Sequence, residues 1–199
     1  MDEEEFARAL LAHERREWQH PGKIISQVDV IREGSVVADL ACGPGFFSIS
    51  ILKKVGKSGK VYAVDSSNVM LRYLRSVLQR SGIENNVEGK SIEIIEHDIS
   101  SDSHIPRESV DVILLANILH DISNKRSLFA EINRISKKKS TLVDIDWKKD
   151  SKSAEMGPPL DIRLSERETR TILNDHGFKV SKTIDAGPYH YGLVCTKRV

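Results

Sequence analysis

The sequence predicts an α/β protein: a mostly parallel sheet with helices on both faces, closed at one end by an antiparallel hairpin. Three observations carry this. Short β-branched runs alternate with helix-periodic segments along most of the 199 residues, and such alternation implies crossovers and a parallel sheet. The run Val110–Leu119 is nearly all apolar, as a strand covered on both faces must be. The last two strand-like runs are joined only by Asp185-Ala186-Gly187-Pro188, which is too short for a crossover.

Taken in order, residues 3–17 read as one helix, with Phe6, Leu10 and Leu11 on a shared face and early acids at the positive end of the dipole. Pro21 opens a short helical turn bearing Ile24, Ile25 and Val28. Strands follow at Val36–Ala41, Lys60–Val64, Ile92–Glu96, Val110–Ala116 and Thr141–Ile145. Helices separate most of them, at residues 46–54, at 67–81 with Gly82 as the stop, and at 124–136. Ser165-Glu166-Arg167-Glu168 is a capping box that starts a helix running to Gly177. Phe178–Ile184 and Tyr189–Thr196 form the hairpin.

Composition bounds the function. Lys and Arg number 30 against 29 Asp and Glu, giving a net charge of +1, which disfavours a nucleic-acid binder held by a broad basic field. A local basic cluster remains at Lys137-Lys138-Lys139 with Lys148, Lys149 and Lys152, where a solvated face is the simpler reading. No apolar run is long enough to span a bilayer. The acidic Met1–Glu5 segment does not read as a secretion signal, so the expected location is cytoplasmic. Two cysteines, Cys42 and Cys195, make neither a disulfide framework nor a multi-cysteine metal site, and no metal is expected.

The first strand runs into Val37-Ala38-Asp39-Leu40-Ala41-Cys42-Gly43-Pro44-Gly45-Phe46. Gly43 and Gly45 permit a tight turn and close approach of a ligand to the backbone at a helix N-terminus. Asp39 stands in an otherwise apolar strand, where a carboxylate is costly unless something pairs with it, and a cationic ligand group would. Asp65 ends the second strand, the position from which an acid grips two ribose hydroxyls. It could instead cap the next helix, but Ser66 and Ser67 already offer caps. Asp98, followed by Ile99 after the third strand, could accept from an adenine amino group or simply close an Asx-turn.

With those residues in place, the stretch 36–120 resembles the class I S-adenosylmethionine-dependent methyltransferases. The matching pieces are V-A-D-L-A-C-G-P-G-F, V-Y-A-V-D-S-S-N-V-M, H-D-I and V-D-V-I-L-L-A-N-I-L-H. It is most similar to the small single-domain group near the quinone-biosynthesis methyltransferases. The resemblance implies a Rossmann-like seven-stranded sheet whose last strand inserts antiparallel. It implies one domain over 1–199, with an N-terminal helical cap at 1–30 and a cofactor-binding core at 31–199. The first of the family's three alternating glycines is here Ala41. The cofactor implied is S-adenosyl-L-methionine, with Asp39 near its methionine part, Ala41, Cys42, Gly43 and Gly45 shaping the loop beneath it, Asp65 on the ribose, Ser66 and Met70 beside the adenosine, Asp98 and Ile99 on adenine, and Asn117 beside the amino-acid portion. Cys42 reads as a small loop residue rather than a reactive thiol.

A sulfonium methyl group is already activated, so alignment and exclusion of water are the protein's main tasks. Where the acceptor must lose a proton, His120 is the candidate base, although it could instead pack against or cap the helix that follows. Arg16, Trp18, Trp147 and His190 are candidates for the acceptor pocket. The expected acceptor is a small molecule, because the Asn-Pro-Pro-aromatic signature of amide and adenine methylation is absent after Asn117. Oligomeric state is left open, a homodimer included. Two rivals stand beside methyl transfer. One is a non-catalytic cofactor-binding subunit that kept the fold. The other is a nicotinamide-dependent oxidoreductase, whose G-x-G-x-x-G fingerprint would need glycine where Ser48 stands.

Overall fold

The computed structural model describes residues 2–81 and 91–198; the expected stop at Gly82 lies outside them. The strands are β1 (Val36–Leu40), β2 (Lys60–Asp65), β3 (Ile92–Glu96), β4 (Val110–Ala116), β5 (Ser136–Trp147), β6 (Phe178–Ile184) and β7 (His190–Lys197). They form one sheet in the order β3-β2-β1-β4-β5-β7-β6. Only β7 runs antiparallel to its neighbours, inserted between β5 and β6. β1 lies between β2 and β4, so the strand order reverses there, and the crevice above the β1 and β4 carboxyl ends is where such sheets bind ligands.

The helices are α1 (Glu3–Leu10), α2 (His13–Trp18), α3 (Pro21–Ser26), α4 (Ser48–Val55), α5 (Asn68–Arg80), α6 (Lys125–Ile135) and α7 (Glu166–Asp175). Two apolar layers hold them to the sheet. On one face Ile25, Ile51, Leu71 and Leu74 pack with Val37, Leu114 and Val143. On the other, Leu128, Phe129 and Leu173 pack with Leu40, Leu115 and Leu193. Leu114 and Leu115 point to opposite layers, which is why the β4 run lacks any polar alternation. Among the described residues no helix is long and apolar enough to cross a membrane.

Two elements depart from the sequence reading. The helix expected over residues 3–17 is broken at Leu11-Ala12. There the α1 end tightens into i→i−3 bonds, Leu11 N–H to Arg8 C=O and Ala12 N–H to Ala9 C=O, and Ala12 turns to ψ 147°. The freed Leu10 carbonyl accepts from the Arg15 guanidinium at 3.1 Å. The expected Thr141–Ile145 strand extends to Ser136–Trp147 and follows α6 without a loop. Its leading lysines therefore sit on the sheet, and Lys137 pairs with Asp111 at 2.6 Å.

Candidate active site

The reversal point opens into a cavity of about 690 Å³, walled by the ends of β1, β2 and β4, by the N-terminal helices, and by the segment after β5. The glycine turn forms its floor. Ala41 (φ 57°), Gly43 (φ 54°) and Gly45 (φ 86°) all take the left-handed backbone, so β1 stops at Leu40. A Cβ on Gly45 would strike Leu74 Cδ1, which is why glycine is required under α5. Asp65 ties the turn to β2: its Oδ2 accepts from Gly43 N–H at 2.7 Å and its Oδ1 from Ser67 N–H at 2.9 Å. Burial raises the Asp65 pKa, and those two N–H bonds oppose the rise.

Asp39 is buried, and among the described residues its carboxylate takes a single hydrogen bond, from Ser48 Oγ at 2.5 Å. Burial pushes its pKa up to about 7, against the Ser48 bond and with help from the Asp65 charge. Ser48 thus occupies the position where a dinucleotide fingerprint would need glycine. Asn117 takes φ 59° just past β4; its N–H donates to Ile145 C=O at 2.7 Å, while its buried Oδ1 has no partner among the described residues. Both residues line the cavity, as do Cys42 and Met70. Burial, then the charges of Asp39 and Asp65, push the Cys42 thiol well up, so it stays protonated.

His120 also lines the cavity. Its ring is held by Asp146, with Nδ1 2.7 Å from Asp146 Oδ1, while its own N–H donates to Asp146 Oδ2 at 3.2 Å. Asp121 lies 3.3 Å from Nε2. Burial alone would lower the His120 pKa; the hydrogen bond and charge of Asp146, with the charge of Asp121, outweigh it and raise the pKa above the ordinary 6.5. The sequence reading gave Asp146 no role of its own. It was discoverable by the argument used for Asp39, a carboxylate in an otherwise apolar strand end. Asp144, two residues earlier on β5, is fully buried, and among the described residues neither of its oxygens finds a hydrogen-bond partner. Burial, then the Asp146 charge, raise its pKa well above the ordinary carboxylate value.

The far wall is aromatic. Trp18 and Trp147 line it with centroids 5.8 Å apart, and His190 lies behind them, stacked on Trp18 at 5.6 Å and 4.0 Å from Trp147. His190 is buried, with both ring nitrogens unpartnered among the described residues; burial, then the charges of Arg15, Lys148 and Arg163, push its pKa down to about 3 and keep it neutral. Gly157 (φ 75°) lays its backbone on the Trp147 ring, where a Cβ would approach within 2.6 Å. The buried Arg163 holds that segment by donating to the carbonyls of Lys148, Ser153, Met156 and Pro158.

Several expected residues lie elsewhere. Arg16 and Ser66 are exposed outside the cavity, and Ser67 lines it in place of Ser66. Asp98 is exposed and accepts from Ser100 N–H at 2.8 Å, the Asx-turn geometry, while Ile99 packs into the core. The sequence reading passed over Arg15, one residue before Arg16. Arg15 is buried and lines the cavity, with its guanidinium 3.9 Å above the Phe46 ring. Nothing in the local pattern separates the two arginines; the break at Leu11-Ala12 decides which one turns inward.

Comparison with known proteins agrees with this geometry. A family model described as a methyltransferase domain matches residues 31–176. A SAM-dependent methyltransferase from Aquifex aeolicus is 29% identical, covers 99% of both chains and superposes with a TM-score of 0.85. The ubiquinone/menaquinone biosynthesis C-methyltransferase of Hydrogenovibrio crunogenus is 31% identical over 60% of this chain and 44% of that protein. The protein of the same name from Cronobacter sakazakii is 28% identical over 81% of this chain and 59% of its own length. The chain therefore spans about half the length of the curated relatives it matches. Because that family model spans well over half of the sequence, the chain belongs to the methyltransferase-domain family.

Proposed function

We propose that this chain is an S-adenosylmethionine-dependent methyltransferase acting on a small-molecule acceptor. The observation that carries this is a pair of buried, under-bonded acceptors on one cavity wall: Asp39, with Ser48 as its single partner, and the unpartnered Asn117 Oδ1. Leaving them buried without a cationic or hydrogen-donating ligand costs free energy, and the ammonium and sulfonium of this cofactor supply what they lack. Asp65 keeps free lone pairs for the ribose hydroxyls beyond the two N–H bonds it accepts. Met70, which lines the cavity, would lie beside the adenosine.

When bound, the cofactor supplies a methyl group already activated for in-line displacement. The protein's residues then do three things. The glycine turn and Asn117 orient the donor. Trp18, Trp147 and the segment held by Arg163 exclude water. His120, its Nδ1 fixed by Asp146, presents Nε2 to take a proton from the acceptor.

The test is thermal. S-adenosylhomocysteine at a hundred times its Kd should stabilise the folded state by about 2.7 kcal/mol, and Asp65→Ala should remove most of the shift. A chain indifferent to S-adenosylhomocysteine but stabilised by NAD would sink the proposal. Transfer of labelled methyl to the small-metabolite fraction of a cell extract, rather than to protein or RNA, tests the acceptor class.

A further inference from the structure

We propose that Asp121 and the Nε2 atom of His120 together select the acceptor: an aromatic ring bearing two adjacent hydroxyl groups, methylated on one oxygen. The inference rests on the methyl-transfer reading above and gives a task to Asp121, which that reading does not use in the reaction. His120 and Asp121 are consecutive in the chain, yet both line the cavity. The turn after β4 brings them there: Asp121 N–H donates to the Ile118 carbonyl at 3.0 Å, and Leu119 anchors the turn in the core. Asp121 is not needed to cap the next helix, because Asn124 does so by accepting from Ser127 N–H at 3.1 Å. Its side chain is half exposed, and among the described residues its single charged partner is His120, with Nε2 3.3 Å from Oδ2.

Distance separates the two carboxylates around His120. Asp146 holds Nδ1 at 2.7 Å, the length of a charge-assisted hydrogen bond, which fixes the neutral ring with Nε2 as acceptor. Asp121 at 3.3 Å is farther than such a bond, so Nε2 and the Asp121 carboxylate each keep a lone pair for a donor in the cavity. Adjacent ring hydroxyls lie side by side on one edge, about one hydrogen-bond length apart, and so meet two acceptors at this spacing. The surroundings favour an aromatic ring: Trp18 and Trp147 line the same cavity, and Trp147 N–H donates to the Asp146 oxygen that holds His120. A phenolic hydroxyl ionises near a pKa of about 10, close enough for an imidazole to assist, which an alkyl hydroxyl is not. In the reaction one hydroxyl passes its proton to Nε2 while its oxygen bonds the methyl carbon, and the electron pair of the broken carbon–sulfur bond stays on sulfur. The products are a methyl ether, S-adenosylhomocysteine and an imidazolium flanked by Asp146 and Asp121. The second hydroxyl keeps its proton and donates it to Asp121.

The test compares catechol with resorcinol and hydroquinone, its isomers with separated hydroxyls, by isothermal titration into the complex with S-adenosylhomocysteine. Catechol should bind roughly tenfold more tightly than either isomer, the gain expected for one hydrogen bond to a charged group. Asp121→Ala should reduce that preference to within about twofold. The same variant should bind S-adenosylhomocysteine within about twofold of the wild type, which shows that it is folded. With S-adenosylmethionine in place of the homocysteine product, catechol should yield its mono-methyl ether. The proposal is overturned by equal binding of the three isomers, by binding of none of them, by a preference that survives Asp121→Ala, or by a methyl group on ring carbon. A wild-type chain that does not bind S-adenosylhomocysteine would overturn the methyl-transfer reading itself.

Discussion

Ala41 and Asn117 both hold left-handed backbone, at φ 57° and 59°, where β1 and β4 end side by side. Left-handed geometry costs an L-residue about 1–2 kcal/mol, and glycine would remove that cost while adding about 0.5–1 kcal/mol of chain entropy. Ala41→Gly should therefore stabilise the protein by up to about 1 kcal/mol, read as a rise in Tm of a few degrees; a fall in Tm would show that the Ala41 methyl has packing worth more than its strain. The His120–Asp146 pair makes a kinetic prediction. A base must be deprotonated to act, so turnover should rise with pH through a midpoint above 6.5. Asp146→Asn removes the charge that raises His120, so that midpoint should move down, with turnover reduced at least roughly tenfold. An unmoved midpoint would show that His120 is not the group being titrated.

At the scale of elements, local signals worked where local physics decides. The capping box at Ser165 and Glu168 is present as read, with Glu168 N–H bonded to Ser165 Oγ at 3.3 Å and Ser165 N–H to Glu168 Oε2 at 2.7 Å. Ser165→Ala should cost about 1 kcal/mol, measured by denaturant unfolding at constant m-value. Local signals failed at residues 3–17, where helical periodicity is continuous but the helix is not. The break exists because α1 must lie against α5, through Arg8 to Tyr73 and Arg72 to Glu4, while α2 and α3 fasten to the hairpin turn, through Gln27 Nε2 to Asp185 C=O. No residue near Leu11 encodes either partner. The β5 boundary failed for a related reason. Ser-Lys-Lys-Lys reads as a solvated helix end, and becomes strand because its backbone pairs alongside β4, with Ser136 opposite Val110 and Lys137 meeting Asp111.

For the whole molecule, the site is held at a cost to stability that pH exposes. Folded, Asp39 keeps its proton to about pH 7, whereas its ordinary pKa is 3.8. Between those values the folded state binds more protons than the unfolded one, so this contribution falls as pH rises and is lost above 7. The roughly three-unit difference corresponds to a penalty on the order of 4 kcal/mol. Asp144, raised in the same direction by burial, steepens the trend. Asp39→Asn should therefore make the ligand-free protein more stable near pH 8 and flatten stability between pH 4 and 8. The same change should weaken S-adenosylhomocysteine, the trade expected where a site keeps a buried charge for its ligand. An equally steep pH dependence in Asp39→Asn would assign the trend to other groups.

The sequence by itself determined the alternation of strands and helices, the closing hairpin, the glycine turn, and Asp39 and Asp65 at strand ends, while Asn117 was named only by the family resemblance. Each of these follows from the period of side chains along a segment, or from a conformation that few residues can adopt. The tertiary structure alone decided the strand order, the break between α1 and α2, the inward turn of Arg15 rather than Arg16, and the pairing of His120 with Asp146. Those are contacts between segments far apart in the chain, as His120 and Asp146 show, reaching one another from the turn after β4 and from the end of β5. Side-chain period tells which face of an element is buried; it carries no information on which neighbour buries it.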